Sequence, residues 1–141
     1  MAGGKPRLRR VRVPVPKEIK LHVPVAELLR DHCLPDWKWT HINRTARDGR
    51  QGKILKTMGV VPGWPDFILV SPHGSMRCLE LKRLGEEPND AQKQFRLWCI
   101  AHGVPHVVAW TMDQVLSALD SWGCLRITIA RSAGCREAAS P

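Results

Sequence analysis

Two carboxylates and an ammonium stand out in the stretch GWPDFILVSPHGSMRCLELKR, Gly63 to Arg83. Asp66 heads one apolar run, and fourteen residues later a second run carries Glu80, with Lys82 two positions further on. Side chains at i and i+2 of a strand project from the same face. Glu80 and Lys82 therefore point together, with Leu79 and Leu81 turned the other way. If the two runs pair as a hairpin, Asp66 comes beside Glu80. Two hard oxygen ligands then face one cation position with an ammonium next to them. Such a group suits a divalent cation and hydrolysis of a phosphodiester.

The elements that must position these residues follow from pattern and punctuation. Residues 1–16 read as a flexible basic arm, since Pro6, Pro14 and Pro16 oppose helix. From Lys17 to about Cys33, Leu21, Val25, Leu28 and Leu29 recur at helical spacing, with Pro24 able to kink or break the first turn. Trp37 to Ile42 reads as a short strand and Asn43 to Gly52 as a loop. Lys53 to Met58 reads as a short helix, and Asp66 to Val70 as a strand entered through Gly63 and Pro65. Ser71 to Ser75 has turn chemistry, and Arg77 to Lys82 is the second strand of the pair.

Asn89 caps a helix to about His102 with Ala91, Phe95, Trp98 and Cys99 inward, stopped by Gly103 and Pro105. His106 to Trp110 is a strand. Thr111 caps a last helix with Val115, Leu116, Leu119 and Trp122 inward, closed by Gly123. Leu125 to Ile129 is an edge-strand candidate, and residues 131–141 read as a disordered tail. The expected fold class is α/β, a small mixed sheet flanked by helices.

Composition narrows the function. A chain of 141 residues fits one domain, here 17–130, and carries a net charge of +9 that favours a polyanionic partner. Seven of the first twenty residues are Lys or Arg. No apolar run approaches the roughly 20 residues that span a bilayer, and no signal-peptide core follows the basic start, so a cytoplasmic location is expected. Five cysteines without a CxxC pair read as reduced core thiols. The six histidines show no HExxH and no close His/Cys spacing, which argues against zinc. There is no GxSxG for a serine hydrolase and no P-loop, so motor action would need a partner protein.

The order of elements, with GWPD at 63–66, LELK at 79–82 and Gln92 in the helix that follows, resembles the PD-(D/E)xK nuclease superfamily. Within it the chain is most similar to stand-alone VRR-NUC domains of bacteria and their phages, over roughly Glu18 to Gly123. The resemblance implies a restriction-endonuclease-like three-layer sandwich and a Mg²⁺- or Mn²⁺-dependent nuclease. Asp66, Glu80 and the backbone carbonyl of Leu81 would be the metal ligands, and Lys82 would orient or activate water. An early helix in the likeness carries Glu and, four residues on, Gln or His. Glu18 and His22 fit this, with Glu27 as the rival acid; His22 also fits a partly buried helix residue without a chemical role. Gln92 is placed near the metal, although Asn89-x-x-Gln92 equally has capping-box form.

An Asn- and Arg-containing loop in the likeness corresponds to Arg44, Arg47, Arg50 and Lys53, suited to backbone phosphates, with Arg83 nearby. Trp64 can stack on a base or plug the sheet, whereas Trp98, Trp110 and Trp122 fit apolar stripes and are expected in the core. Small members of the family act as homodimers on branched DNA, flaps or four-way junctions, and leave 5′-phosphates. Two other readings survive: a non-catalytic nucleic-acid-binding module on the same fold, and a subunit that cleaves only beside a helicase or packaging motor.

Overall fold

In the computed structural model, residues 21–42 and 48–127 are described. The basic arm, the tail, Glu18, Arg44 and Arg47 lie outside them. The order is α1 (His22–His32), β1 (Lys38–His41), α2 (Gly49–Thr57), β2 (Phe67–Val70), β3 (Met76–Leu81), α3 (Asp90–Ala101), β4 (His106–Ala109) and α4 (Met112–Trp122). The four strands form one mixed sheet in the order β1-β2-β3-β4. The first two pairings are antiparallel, and β3 with β4 is parallel. The chain is thus of the α/β class.

The β2–β3 hairpin is set by its turn. The Ser71 amide donates to the Ser75 carbonyl at 2.9 Å and the Gly74 amide to the Ser71 carbonyl at 2.9 Å. That turn aligns Phe67 with Leu79 and Ile68 with Cys78. Continued by one residue, the same register sets Asp66 opposite Glu80. Alternation then sorts the sheet. Phe67, Leu69, Leu79 and Leu81 are buried with Val25 and Leu29 of α1 and Val115 and Leu119 of α4. Cys78 and Glu80 belong to the opposite face, where buried Cys99 of α3 meets the Cys78 thiol. Glu80 is thus the one charged residue among the last four of β3, all of which are buried.

Several expectations change in detail. Pro24 does not break α1: it sits in the first turn, where the amide it lacks would have no partner within the helix. The segment from Gly49 is helix rather than loop, because Asp48 caps it, its side chain accepting the Gln51 amide at 2.7 Å. Arg50 and Lys53 therefore stand exposed on α2. Trp98, expected inward, is 50% exposed, and Cys99 alone is buried in α3. Trp110 and Trp122 are half-buried. The edge strand at Leu125 reduces, among the described residues, to a single bridge with Cys33. No helix among them is long and apolar enough to cross a membrane.

Gly63 locks the entry to β2 against α3. Its φ is +95°, and a Cβ there would lie 2.4 Å from the Ala91 carbonyl oxygen. Both the left-handed backbone and the contact with main chain forbid a side chain. Gly63→Ala is expected to destabilise the protein by about 2–3 kcal/mol in chemical denaturation. It should also move Asp66 relative to Gln92, because the two elements can no longer close.

Candidate active site

Asp66, at the head of β2, and Glu80, in β3, meet at one end of the hairpin. One carboxylate oxygen of Asp66 accepts the Leu81 amide at 2.7 Å. The Asp66 carbonyl accepts the Ile42 amide at 2.6 Å, which ties the site to the end of β1. Lys82 follows β3, and its amide donates to the Ala109 carbonyl of β4 at 2.9 Å. Its ammonium reaches Glu80 Oε1 at 3.1 Å.

Gln92 completes the capping box and also reaches Glu80. Its Oε1 accepts the Asn89 amide at 2.9 Å, and its own amide donates to Asn89 Oδ1 at 3.0 Å, which completes the capping box. Its Nε2 donates to Glu80 Oε1 at 2.5 Å. The amide oxygen starts the helix while the nitrogen fixes the acid. Asp66, Glu80, Leu81, Lys82 and Gln92 are thus drawn together from three elements.

Glu80 is 2% exposed. Burial, and then the charge of Asp66, push its carboxyl up to about 7, with Lys82 acting in the opposite direction. An acid so placed is about half protonated near neutral pH, and a cation sharing the space would favour its charged form. The donor set fits a small hard cation: two carboxylates meet there, their orientations fixed by amide donors, with one ammonium against them.

The remaining expected residues are more scattered. Trp64 is 44% exposed and packs on Phe95 with ring centroids 4.8 Å apart, so it is no core plug. Phe95 continues to Trp98 at 6.3 Å, and Trp98 stacks on His102 at 4.3 Å. Arg83 is occupied by Glu86 at 2.8 Å, with both side chains half exposed. Glu27 is exposed on α1, and no contact brings it to the site.

A second group was not legible from spacing. His22 Nδ1 of α1 lies 2.8 Å from His41 Nε2 of β1. One ligand atom from each, with a carboxylate oxygen of Asp66, falls within 4.8 Å of the others. The expectation that the histidines form no metal-type cluster is therefore corrected. Residues 19 and 25 positions apart in sequence give no motif; the β1–β2 pairing and the packing of α1 against that sheet bring them together. Burial first, then the neighbouring His22, pull His41 below the usual histidine value, while Asp66 acts the other way.

No family model matches the chain. No curated protein matches it either. Among solved structures, a chain described as paFAN1 bound to one-nucleotide 5′-flap DNA with a gap aligns at 24% identity with a TM-score of 0.30. The match covers 43% of this chain and 13% of that one. At that score the likeness carries no functional weight, and any reading must stand on the site itself.

The raised carboxyl has a measurable consequence when metal is removed. Between its ordinary 4.5 and about 7, Glu80 keeps its proton in the folded chain but loses it in the unfolded one. The folded state binds more protons there, so stability falls as pH rises through this window and levels off above it. In EDTA, urea titrations of the wild type are expected to lose on the order of 3 kcal/mol across the window. Glu80→Gln should flatten that slope.

Proposed function

We propose that the chain is a Mg²⁺- or Mn²⁺-dependent DNA nuclease of the VRR-NUC type in the PD-(D/E)xK superfamily. Its domain would span 17–130 on a restriction-endonuclease-like three-layer sandwich, with the basic arm and the tail flanking it. The observation that carries the reading is the meeting of Asp66 and Glu80 across β2 and β3, with the Lys82 ammonium 3.1 Å from Glu80. A surface ion pair would not need a buried acid, an amide-anchored neighbour and a glutamine tether around it. The net charge of +9 favours a polyanionic substrate.

In this reading Asp66, Glu80 and the Leu81 carbonyl hold the cation. When bound, it polarises a phosphoryl oxygen and lowers the pKa of a coordinated water. The protein's own groups supply the rest. Gln92 fixes the Glu80 carboxylate and the Leu81 amide fixes that of Asp66, so the ligands need no reorganisation as charge develops. Lys82, held on Glu80, positions the attacking water and offsets charge on the phosphate. Water adds to phosphorus, the bond to the 3′-oxygen breaks, that oxygen takes up a proton, and a 5′-phosphate remains. Arg50 and Lys53 on α2, Arg44, Arg47 and Arg83 would contact backbone phosphates, and Trp64 offers a half-exposed ring to a base or sugar.

One compact domain offers little surface for reading a long sequence, which favours selection by DNA structure: flaps or four-way junctions, bound by a homodimer. Purified protein should be incubated with plasmid, linear duplex, single strands, a flap and a four-way junction, in Mg²⁺, Mn²⁺ or EDTA. Cleavage is expected only with metal. It should fall by about 100-fold or more in Lys82→Ala, while circular dichroism stays unchanged. Cleavage that survives EDTA, or an undiminished Lys82→Ala, would overturn the mechanism. Binding without cleavage of any substrate would point to the non-catalytic module. Cleavage that appears only with a helicase added would point to a subunit of a larger machine.

A further inference from the structure

The histidine pair lies outside the chemistry just described, yet it touches the same aspartate. His22 comes from α1, His41 from β1 and Asp66 from the head of β2, and all three are half-buried. Their positions are set by structure independent of any ion. The β1–β2 register places His41 opposite Phe67, and the two rings pack with centroids 4.7 Å apart. His22 meets His41 edge-on, at 84° between the ring planes. The Ile42 amide on the Asp66 carbonyl fixes the third member one residue beyond the strand.

From this arrangement we infer a second cation position, formed by His22, His41 and Asp66, that takes a borderline divalent ion such as Zn²⁺. The two imidazole nitrogens face each other at 2.8 Å. Two nitrogen ligands about 2.1 Å from a tetrahedral ion lie roughly 3.4 Å apart, so the pair must open by about 0.6 Å. With three protein ligands, a tetrahedral ion keeps one place for water or a phosphate oxygen. The ligand set also separates this position from its neighbour. Imidazole nitrogen selects for zinc and related transition ions, whereas the carboxylate and carbonyl oxygens at Glu80 and Leu81 select for Mg²⁺ or Mn²⁺.

Asp66 is common to both positions. Its charge acts on His41 on one side and on Glu80 on the other. Zinc binding by the three side chains stands without the nuclease proposal. Only the consequence that the second ion sits beside a scissile phosphate rests on that reading.

The test uses the full chain, stripped with chelator and dialysed. Titration with Zn²⁺ in a calorimeter, and with Co²⁺ while following its visible absorption, should give one ion per chain. His22→Ala and His41→Ala should each weaken that binding at least about 10- to 100-fold, with circular dichroism unchanged. Glu80→Gln and Lys82→Ala should retain it. If either histidine variant fails to fold, zinc-edge X-ray absorption on the wild type replaces it: two imidazoles and an oxygen ligand are expected. Binding unaffected by both histidine changes would overturn the inference, as would a zinc shell without two imidazoles or no zinc binding at all. A wild-type chain that cleaves DNA with Mg²⁺ but binds no zinc would sink this inference alone. Intact zinc binding with no cleavage would sink the nuclease reading alone.

Discussion

A buried carboxylate opposed by another carboxylate is the constraint around which this molecule is arranged. Glu80 occupies a position in β3 that its strand neighbours fill with Cys78, Leu79 and Leu81, all buried. An uncompensated charge there would cost several kcal/mol. The surrounding groups answer that cost one by one. Gln92 reaches across from α3, and Lys82 folds back from the strand end. Asp66 itself works against the others, since its charge raises the Glu80 carboxyl further. An arrangement that keeps two acids together with a single ammonium has the electrostatics of a cation site.

The fold delivers each of these groups through ordinary means. The turn at Ser71–Ser75 sets the hairpin register, and the register sets which residue faces Glu80. A capping box starts α3 at a point where the same glutamine can tether the acid. Gly63 lets the chain pass close to the Ala91 carbonyl, which brings the Asp66 loop and the start of α3 together. Parallel pairing of β3 with β4 holds the Lys82 backbone on Ala109. Loss of any one of these supports would loosen the acids without removing a charged group.

The sequence displayed much of this. The hairpin could be read because FILV and MRCLEL are apolar runs separated by turn residues, and a strand's period of two then assigns faces. The caps at Asn89 and Thr111 and the stop at Gly123 are local chemistry, and they fall in the expected places. The helix from Lys53 is legible, but its first turn, Gly49 to Gly52, carries two glycines and no apolar residue, and only the Asp48 cap marks its start. Trp98 was misplaced because a helical stripe identifies a face without saying how far the neighbouring sheet extends over it; this ring stacks on His102 at the surface instead.

By itself, then, the sequence determined the local elements, the β2–β3 pairing and the convergence of Asp66, Glu80 and Lys82, because short-range periodicity and turn chemistry decide these. Only the tertiary structure decided how deeply Glu80 is buried, that Gln92 serves the cap and the acid at once, and that His22 and His41 face each other beside Asp66. Those facts depend on which distant segments pack together. Contact between α1, β1 and the head of β2 follows from burial of a shared core, and no spacing along the chain encodes it.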